Sequence, residues 1–308
     1  NHPMVDRLKD PIFFIGFPRS GTTIIFETFV QNPELGWLAN YAEMWPRAIS
    51  ANILCRLLDN RFIRLRGQKK QYGIVRFGNR YLPQPVEAYA FWDYFTGIDF
   101  SHDYLIGQKA DKAACHRVRD ALKKAMSYQG KTRFTTKLTG PGRIGYLRSI
   151  FPDARFVHVI RDGRAVVESL LRMEFWDSKG GMDAPFWNNG LEADSIADWL
   201  QSDRDPVVLA AHQWNRIIET TLDESRALTG EQYVEVIYED FVRSSRTVTN
   251  ELLLWAGING NAMESKVEKR GARLDDMNRK YLEVFTDKQI ASMNRIMGPM
   301  LVQHGYAL

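Results

Sequence analysis

The sequence predicts an α/β protein in which a central parallel sheet is flanked by helices. Three observations predict it. Apolar runs of strand length alternate with amphipathic stretches of helical length, the pattern of parallel strands joined by helical crossovers. A glycine-framed turn, GFPRSGTT at 16–23, follows the first apolar run directly. Pro33, Pro152 and Gly230 punctuate the joins.

Taken in order, the first strand is expected over 11–16 on the run Ile12, Phe13, Phe14, Ile15, and a helix over 21–32 stops at Pro33. A helix over 112–128 leads to a strand over 132–138 (TRFTTKL), then a helix over 143–150. Beyond Pro152 come a strand over 155–160 (RFVHVI) and a helix over 163–173. The last third reads as a helix over 206–228, a strand over 232–238 (QYVEVIY), and helices over 240–256 and 287–303. No repeat, low-complexity segment or flexible linker interrupts this order. A single domain over 1–308 is expected, with long insertions near 36–110 and 174–205.

At 308 residues, 44% hydrophobic and 12% aromatic, the chain can bury a sizeable core. No apolar stretch approaches the ~18 residues of a membrane span, and the opening NHPMVDRLKD lacks the apolar block of a secretory signal. The sequence begins without methionine, so an anchor upstream of it stays open. Cys55 and Cys115 make no disulfide framework and fit a reducing compartment, so a cytoplasmic location is expected. The net charge of +4 is unevenly spread: 56–80 carries Arg56, Arg61, Arg64, Arg66, Lys69, Lys70, Arg76 and Arg80 against Asp59, while 183–205 carries six acids against Arg204. Such runs read as solvated faces. The alternative for the basic run is contact with an anionic acceptor or a membrane surface. No zinc, helix-turn-helix or RNA-binding signature accompanies it, which argues against nucleic acid as a partner.

GFPRSGTT has the Gly-x4-Gly frame of a phosphate-binding loop, but Thr22 stands where a nucleoside triphosphatase carries lysine. Gly16 and Gly21 permit the tight turn, and the N–H groups of Ser20 to Thr23 open a helix whose positive end meets an anion. The absent lysine argues against hydrolysis of ATP or GTP; Arg19 supplies a cation three positions earlier. A second anion grip is expected in VIRDGRAVVES, 159–169, where Arg161 leaves a strand and Ser169 lies about two turns into the next helix. Asp162 is placed to cap that helix. Both grips fall at the carboxyl edge of the sheet, where open α/β sheets bind ligands, and together they suit a nucleotide bearing two separated phosphate groups.

GFPRSGTT, then VIRDGRAVVES, then YEDF at 238–241, closely resembles the sulfotransferases that use 3′-phosphoadenosine 5′-phosphosulfate (PAPS). The resemblance covers about 11–45 and 132–256. It implies the sulfotransferase variant of the phosphate-loop nucleoside triphosphate hydrolase-like fold, with PAPS as donor, 3′-phosphoadenosine 5′-phosphate (PAP) as product and no metal. It further implies that Arg19, Ser20, Gly21, Thr22 and Thr23 hold the 5′-phosphosulfate, that Arg161 and Ser169 hold the 3′-phosphate, and that Tyr238 lies near the nucleotide. The aryl and steroid branch has lysine where Arg19 stands and a histidine base in a Lys-x-His strand end; TKLTGP here has Thr139 instead. The chain looks more like the carbohydrate, tyrosyl-protein and bacterial branch, whose glutamate base falls soon after the first helix, at Glu43 in NYAEMWP. The family's C-terminal glycine-rich phosphate loop is not plain in this sequence; RLDDMNRKY, 273–281, is a weak candidate for it through Arg279 and Lys280.

Transfer of a sulfonate to a hydroxyl needs a base for the acceptor's proton and cations at the sulfonate and leaving phosphate. Glu43 is the expected base, with Lys137 and Arg19 the cations; a loop acid and an exposed strand end are their ordinary readings. His158 and His212 read as packed residues, and His102 as a loop residue able to face the acceptor. Phe91, Trp92, Tyr94, Phe95, Trp37, Trp45, Phe175, Trp176 and Trp187 lie in or beside the insertions, as core or as an aromatic acceptor pocket. The acceptor class is a sugar, glycolipid, phenol or alcohol. The competing readings are a phosphate-loop small-molecule kinase and a non-catalytic nucleotide-binding module.

Overall fold

The computed structural model describes residues 8–58, 82–260 and 278–308. Five strands, β1 (Ile12–Gly16), β2 (Leu35–Gly36), β3 (Arg133–Thr139), β4 (Arg155–Ile160) and β5 (Tyr233–Ile237), form one parallel sheet in the order β2-β3-β1-β4-β5. The helices described are α1 (Thr22–Phe29), α2 (Asn40–Met44), α3 (Ile53–Leu58), α4 (Tyr89–Thr96), α5 (Lys112–Gln129), α6 (Ile144–Ile150) and α7 (Gly163–Leu171). They continue with α8 (Glu174–Ser178), α9 (Ala193–Gln201), α10 (Pro206–Ser225), α11 (Tyr238–Arg243), α12 (Ser245–Trp255), α13 (Tyr281–Val284) and α14 (Asp287–Gln303).

The four expected strands are present to within a residue at each end, and the two-residue β2 is too short to show as an apolar run. The helix expected over 240–256 is two helices, because Ser244 leaves helical geometry at φ −144, ψ 55. The expected insertions contain α2 to α4 and α8 to α9, short helices whose periodicity is weak in the sequence alone. Much of the basic run, including Arg61, Arg64, Arg66, Lys69, Lys70, Arg76 and Arg80, lies outside the described residues. Among those described, no helix is long and apolar enough to cross a membrane.

The strands hold because alternate side chains reach opposite layers. Phe13 and Ile15 face a core with Trp92, Phe134, Leu147, Phe151 and Phe156, while Ile12 and Phe14 face Phe26, Phe29, Val157, Phe241 and Leu253. Phe13 stacks on Phe156 with centroids 5.6 Å apart; fully burying one such ring is worth ~1.5–3 kcal/mol. A third core joins α7, α10 and α14 to the second insertion through Val166, Trp176, Trp187, Trp214 and Met297. Long helices begin on side-chain caps: Asp111 accepts from the Ala114 N–H at 2.6 Å, Asp205 from the Val207 N–H at 2.8 Å before Pro206, and Thr286 with Gln289 forms a capping box. Two of the acids of 183–205 serve these joins. Asp198 meets His212 at 2.7 Å and Arg295 at 2.9 Å, and Asp205 is the α10 cap.

His158 is a core residue, as its strand position suggests: it is fully buried and its Nδ1 lies 2.7 Å from the Tyr233 hydroxyl. Burial, with a smaller contribution from His304, depresses its pKa from 6.5 to about 3. A histidine depressed in the folded state is protonated first in the unfolded chain, so its stabilising effect is present above pH ~6.5 and is lost as the pH falls toward 3. The urea midpoint should therefore fall more steeply between about pH 7 and about pH 5 in the wild type than in His158→Gln; parallel slopes would show that another group controls acid sensitivity.

Candidate active site

β1 lies in the middle of the sheet with β3 on one side and β4 on the other, so its carboxyl end is where the connections diverge. Gly16 ends β1 opposite Thr139 of β3. The loop then turns through Arg19 at φ 73 and Gly21 at φ 90 into α1. Gly21 is required twice over: its φ is left-handed, and a Cβ there would meet Tyr238 Cδ2 at 2.1 Å. Unlike α5, α7, α10 and α14, α1 has no side-chain cap, which leaves the N–H groups of Thr22 and Thr23 uncapped, while that of Ile24 donates to the Gly21 carbonyl at 3.1 Å. Ser20 and Thr22 are buried, and their hydroxyl oxygens have no hydrogen-bond partner. Buried hydroxyls without partners at a helix N-terminus fit the oxygens of a phosphate or sulfonate.

The second motif meets this loop across the sheet. Arg161, at the end of β4, donates from Nη1 to the Arg19 carbonyl at 3.1 Å, and Arg19 Nε donates to Ser169 Oγ of α7 at 3.1 Å. Tyr238, directly after β5, lies under Arg161 with the guanidinium carbon 4.7 Å from its ring centroid and packs against Gly21. The Arg161 fork rests on Asn278 Oδ1 at 3.0 and 2.7 Å, and Asn278 Nδ2 donates to Glu239 at 2.8 Å. Arg161 is 6% exposed, yet among the described residues neither it nor Arg19 has an ion-pair partner. Partial desolvation and the charges of Arg161 and Arg172 hold Arg19 below the usual arginine pKa. Two uncompensated guanidinium groups beside open N–H groups make a site for an anion. Asp162 is the α7 cap expected of it, accepting from the Arg164 N–H at 3.0 Å.

Lys137 reaches the loop from the other side. It pairs with Phe14 in the β3–β1 register, and its Nζ donates to Thr23 Oγ1 at 2.9 Å. The ammonium that the loop sequence lacks is thus supplied by the neighbouring strand. The same Nζ lies 3.3 Å from Glu87 Oε1, which also accepts from Thr139 Oγ1 at 2.8 Å. Glu43 sits in α2, exposed, with Oε2 accepting from the Ala90 N–H in the first turn of α4 at 3.2 Å. His102 pairs with Asp99 at 2.9 Å and packs against Phe186 at 5.6 Å, and neither contact is to a residue of the phosphate loop.

Of the insertion aromatics, Trp37, Phe91, Trp92, Trp176 and Trp187 are core, while Trp45, Tyr94 and Phe175 are 55%, 45% and 43% exposed. Trp187 lies 5.5 Å from Phe17 and so supports the loop from the second insertion. Glu87, Asn278 and Glu239 were not singled out by sequence reasoning: Glu239 lies within YEDF and Asn278 within RLDDMNRKY without a role of its own, and no local motif marks Glu87. Asn278 adjoins Arg279 and Lys280; the preceding residues of that motif, 273–277, lie outside the described residues.

The order of the sheet and an anion-binding loop at the end of its central strand define an α/β protein of the phosphate-loop type. A family model described as the sulfotransferase family matches residues 11–261, and the chain belongs to that family. Among solved structures it is similar to a sulfotransferase from Mycobacterium avium, at 16% identity and TM-score 0.55, covering 98% of this chain and 78% of that one. It is also similar to the sulfotransferase domain of the curacin biosynthetic pathway, at 13% identity and TM-score 0.49 over 98% of this chain and 99% of that one. A mouse sulfotransferase complexed with PAP is 10% identical, with TM-score 0.47 over 96% of this chain and 86% of that one. No curated protein sequence matches the chain.

Proposed function

We propose that this protein transfers a sulfonate group from PAPS to a hydroxyl of a small-molecule, glycolipid or carbohydrate acceptor and releases PAP, acting as one domain over 1–308. The observation that carries the reading is the convergence of Arg19 and Arg161, without ion-pair partners among the described residues, on a loop whose Ser20 and Thr22 hydroxyls are buried and unpartnered. The donor supplies an activated sulfonate on a 5′-phosphate. Ser20 and Thr22 bind it through their hydroxyls, and Gly21, Thr22 and Thr23 through N–H groups at the start of α1; Arg19 adds charge. Arg161 and Ser169 bind the 3′-phosphate, with Tyr238 closing the nucleotide side. Lys137 stands where charge develops on the leaving phosphate oxygen. For the acceptor's proton the site offers two carboxylates, Glu43, which the resemblance implies, and Glu87.

Titration calorimetry with PAP, PAPS and ATP, each with and without magnesium, separates this reading from a kinase. PAP should bind without metal and more tightly than ATP. Arg161→Ala should weaken PAP by ~1.5–3 kcal/mol, a factor of roughly 10–150, the usual worth of hydrogen bonds to a charged group. Unchanged PAP affinity in that variant, or strict magnesium dependence in the wild type, overturns the reading. Binding of PAPS without any sulfonate turnover would make the chain a non-catalytic module.

A further inference from the structure

The hydrogen bonds of Glu87 tie it to the phosphate loop through two groups at the end of β3. Its Oε1 accepts from Thr139 Oγ1 at 2.8 Å and faces Lys137 Nζ at 3.3 Å, while that Nζ donates to Thr23 Oγ1 of the loop at 2.9 Å. Its second oxygen has no partner among the described residues, and the side chain is 24% exposed. The backbone around it is held in place. The Glu87 carbonyl accepts from Trp92 Nε1 at 3.2 Å, Ala88 takes a left-handed φ of 55, and the Tyr89 hydroxyl donates to the Thr139 carbonyl. A left-handed alanine costs conformational energy, and it turns both flanking side chains onto Thr139. The charged and titratable groups facing Glu87 are Lys137 and Tyr89.

Glu43 differs on each point. It is exposed, its Oε2 accepts from the N–H of Ala90, and none of its contacts among the described residues is to the loop or to Lys137. Its interaction fixes the start of α4, the helix that directly follows Glu87 and Ala88.

We propose that Glu87, rather than Glu43, takes the proton of the acceptor hydroxyl, and that Glu43 is a positioning residue for the segment that carries it. The inference rests on the sulfonate-transfer reading above. As the acceptor oxygen forms its bond to sulfur, its proton passes to the free oxygen of Glu87. The bond from sulfur to the 5′-phosphate oxygen breaks with its electron pair on that oxygen, which Lys137 faces. Glu87 then returns the proton to water. One carboxylate thus stands beside the cation that receives the leaving charge, so the proton and the leaving group are handled within one hydrogen-bonded set.

The test needs no identified acceptor, because water is itself a hydroxyl: release of labelled sulfate from PAPS is followed against pH, and PAP affinity is measured by calorimetry. In Glu87→Gln sulfate release should fall ~10²-fold or more, the limb of the pH–rate profile that declines toward acid should vanish, and PAP should bind as tightly or tighter, since a negative charge beside the donor is gone. Glu43→Gln should lose much less and keep the acid limb. If Glu87→Gln lowers the melting midpoint, Glu87→Asp supplies the same reading with the acid limb retained at reduced rate. Glu87→Gln within about threefold of wild type, or loss of the acid limb in Glu43→Gln alone, overturns the proposal. A parallel loss of PAP affinity and turnover in Glu87→Gln overturns it as well, by making Glu87 a structural part of the donor site. Failure of the underlying reading shows separately, as a wild type that neither binds PAP nor releases sulfate.

Discussion

Lys137→Met is expected to lower sulfonate turnover by ~10²–10³-fold, the range seen when one donor facing a developing negative charge is removed. Lys137 is 8% exposed and its ammonium is shared between Thr23 and Glu87, so it is already oriented before substrate arrives. Such preorganised charge contributes most where charge grows during the reaction. The effect should therefore fall on turnover more than on PAP affinity, which the uncapped start of α1, Arg19 and Arg161 maintain. Methionine keeps the apolar stem of the side chain, one atom short of the ammonium, and spares the packing of the strand end. Steady-state sulfate release combined with PAP titration measures both quantities. Turnover within about threefold of wild type would remove Lys137 from the chemistry.

Gly21→Ala is expected to weaken PAP by ~10²-fold or more and to lower stability by ~1–3 kcal/mol, because the residue meets both a strained backbone and a closed space. At φ 90 an alanine pays the left-handed penalty, and its Cβ would lie 2.1 Å from the ring of Tyr238. That ring supports Arg161, so moving it disturbs both anion grips at once. Gly180→Ala separates the two causes: its φ of 77 imposes the same backbone strain, but nothing lies within 4 Å of the added atom. It should cost about 1 kcal/mol of stability and leave PAP affinity intact. Melting curves and calorimetry on the two variants give the comparison. Equal PAP affinity in wild type and Gly21→Ala would show that the loop does not bind the donor.

The centre of the parallel sheet was legible because β1 and β4 carry mainly apolar runs, Ile12 to Ile15 and Phe156 to Ile160, and parallel strands buried on both faces need no partner to be recognised. β2 was not, since two residues held by pairing with Arg133 and Phe134 have no periodicity to read. The helices of the insertions were hidden for a related reason. α2 and α8 are five residues each, stabilised by tertiary packing rather than by their own propensity. Most of the aromatic residues there turned inward, and Trp187 became a support for the loop rather than an acceptor contact.

The sequence by itself determined the phosphate loop and the second grip, because both are local: glycines at fixed spacing, hydroxyls at a helix start, and an arginine at a strand end express their geometry within a few residues. Tertiary structure alone decided what surrounds them. The register of β3 against β1 carries Lys137 to Thr23, and the left-handed turn at Ala88 swings Glu87 onto Thr139, across separations of 114 and 52 residues. Asn278 reaches Arg161 over 117 residues. Contacts of that range leave no local pattern, because they depend on which strand ends the fold gathers at one edge of the sheet and not on the residues that flank them in the chain.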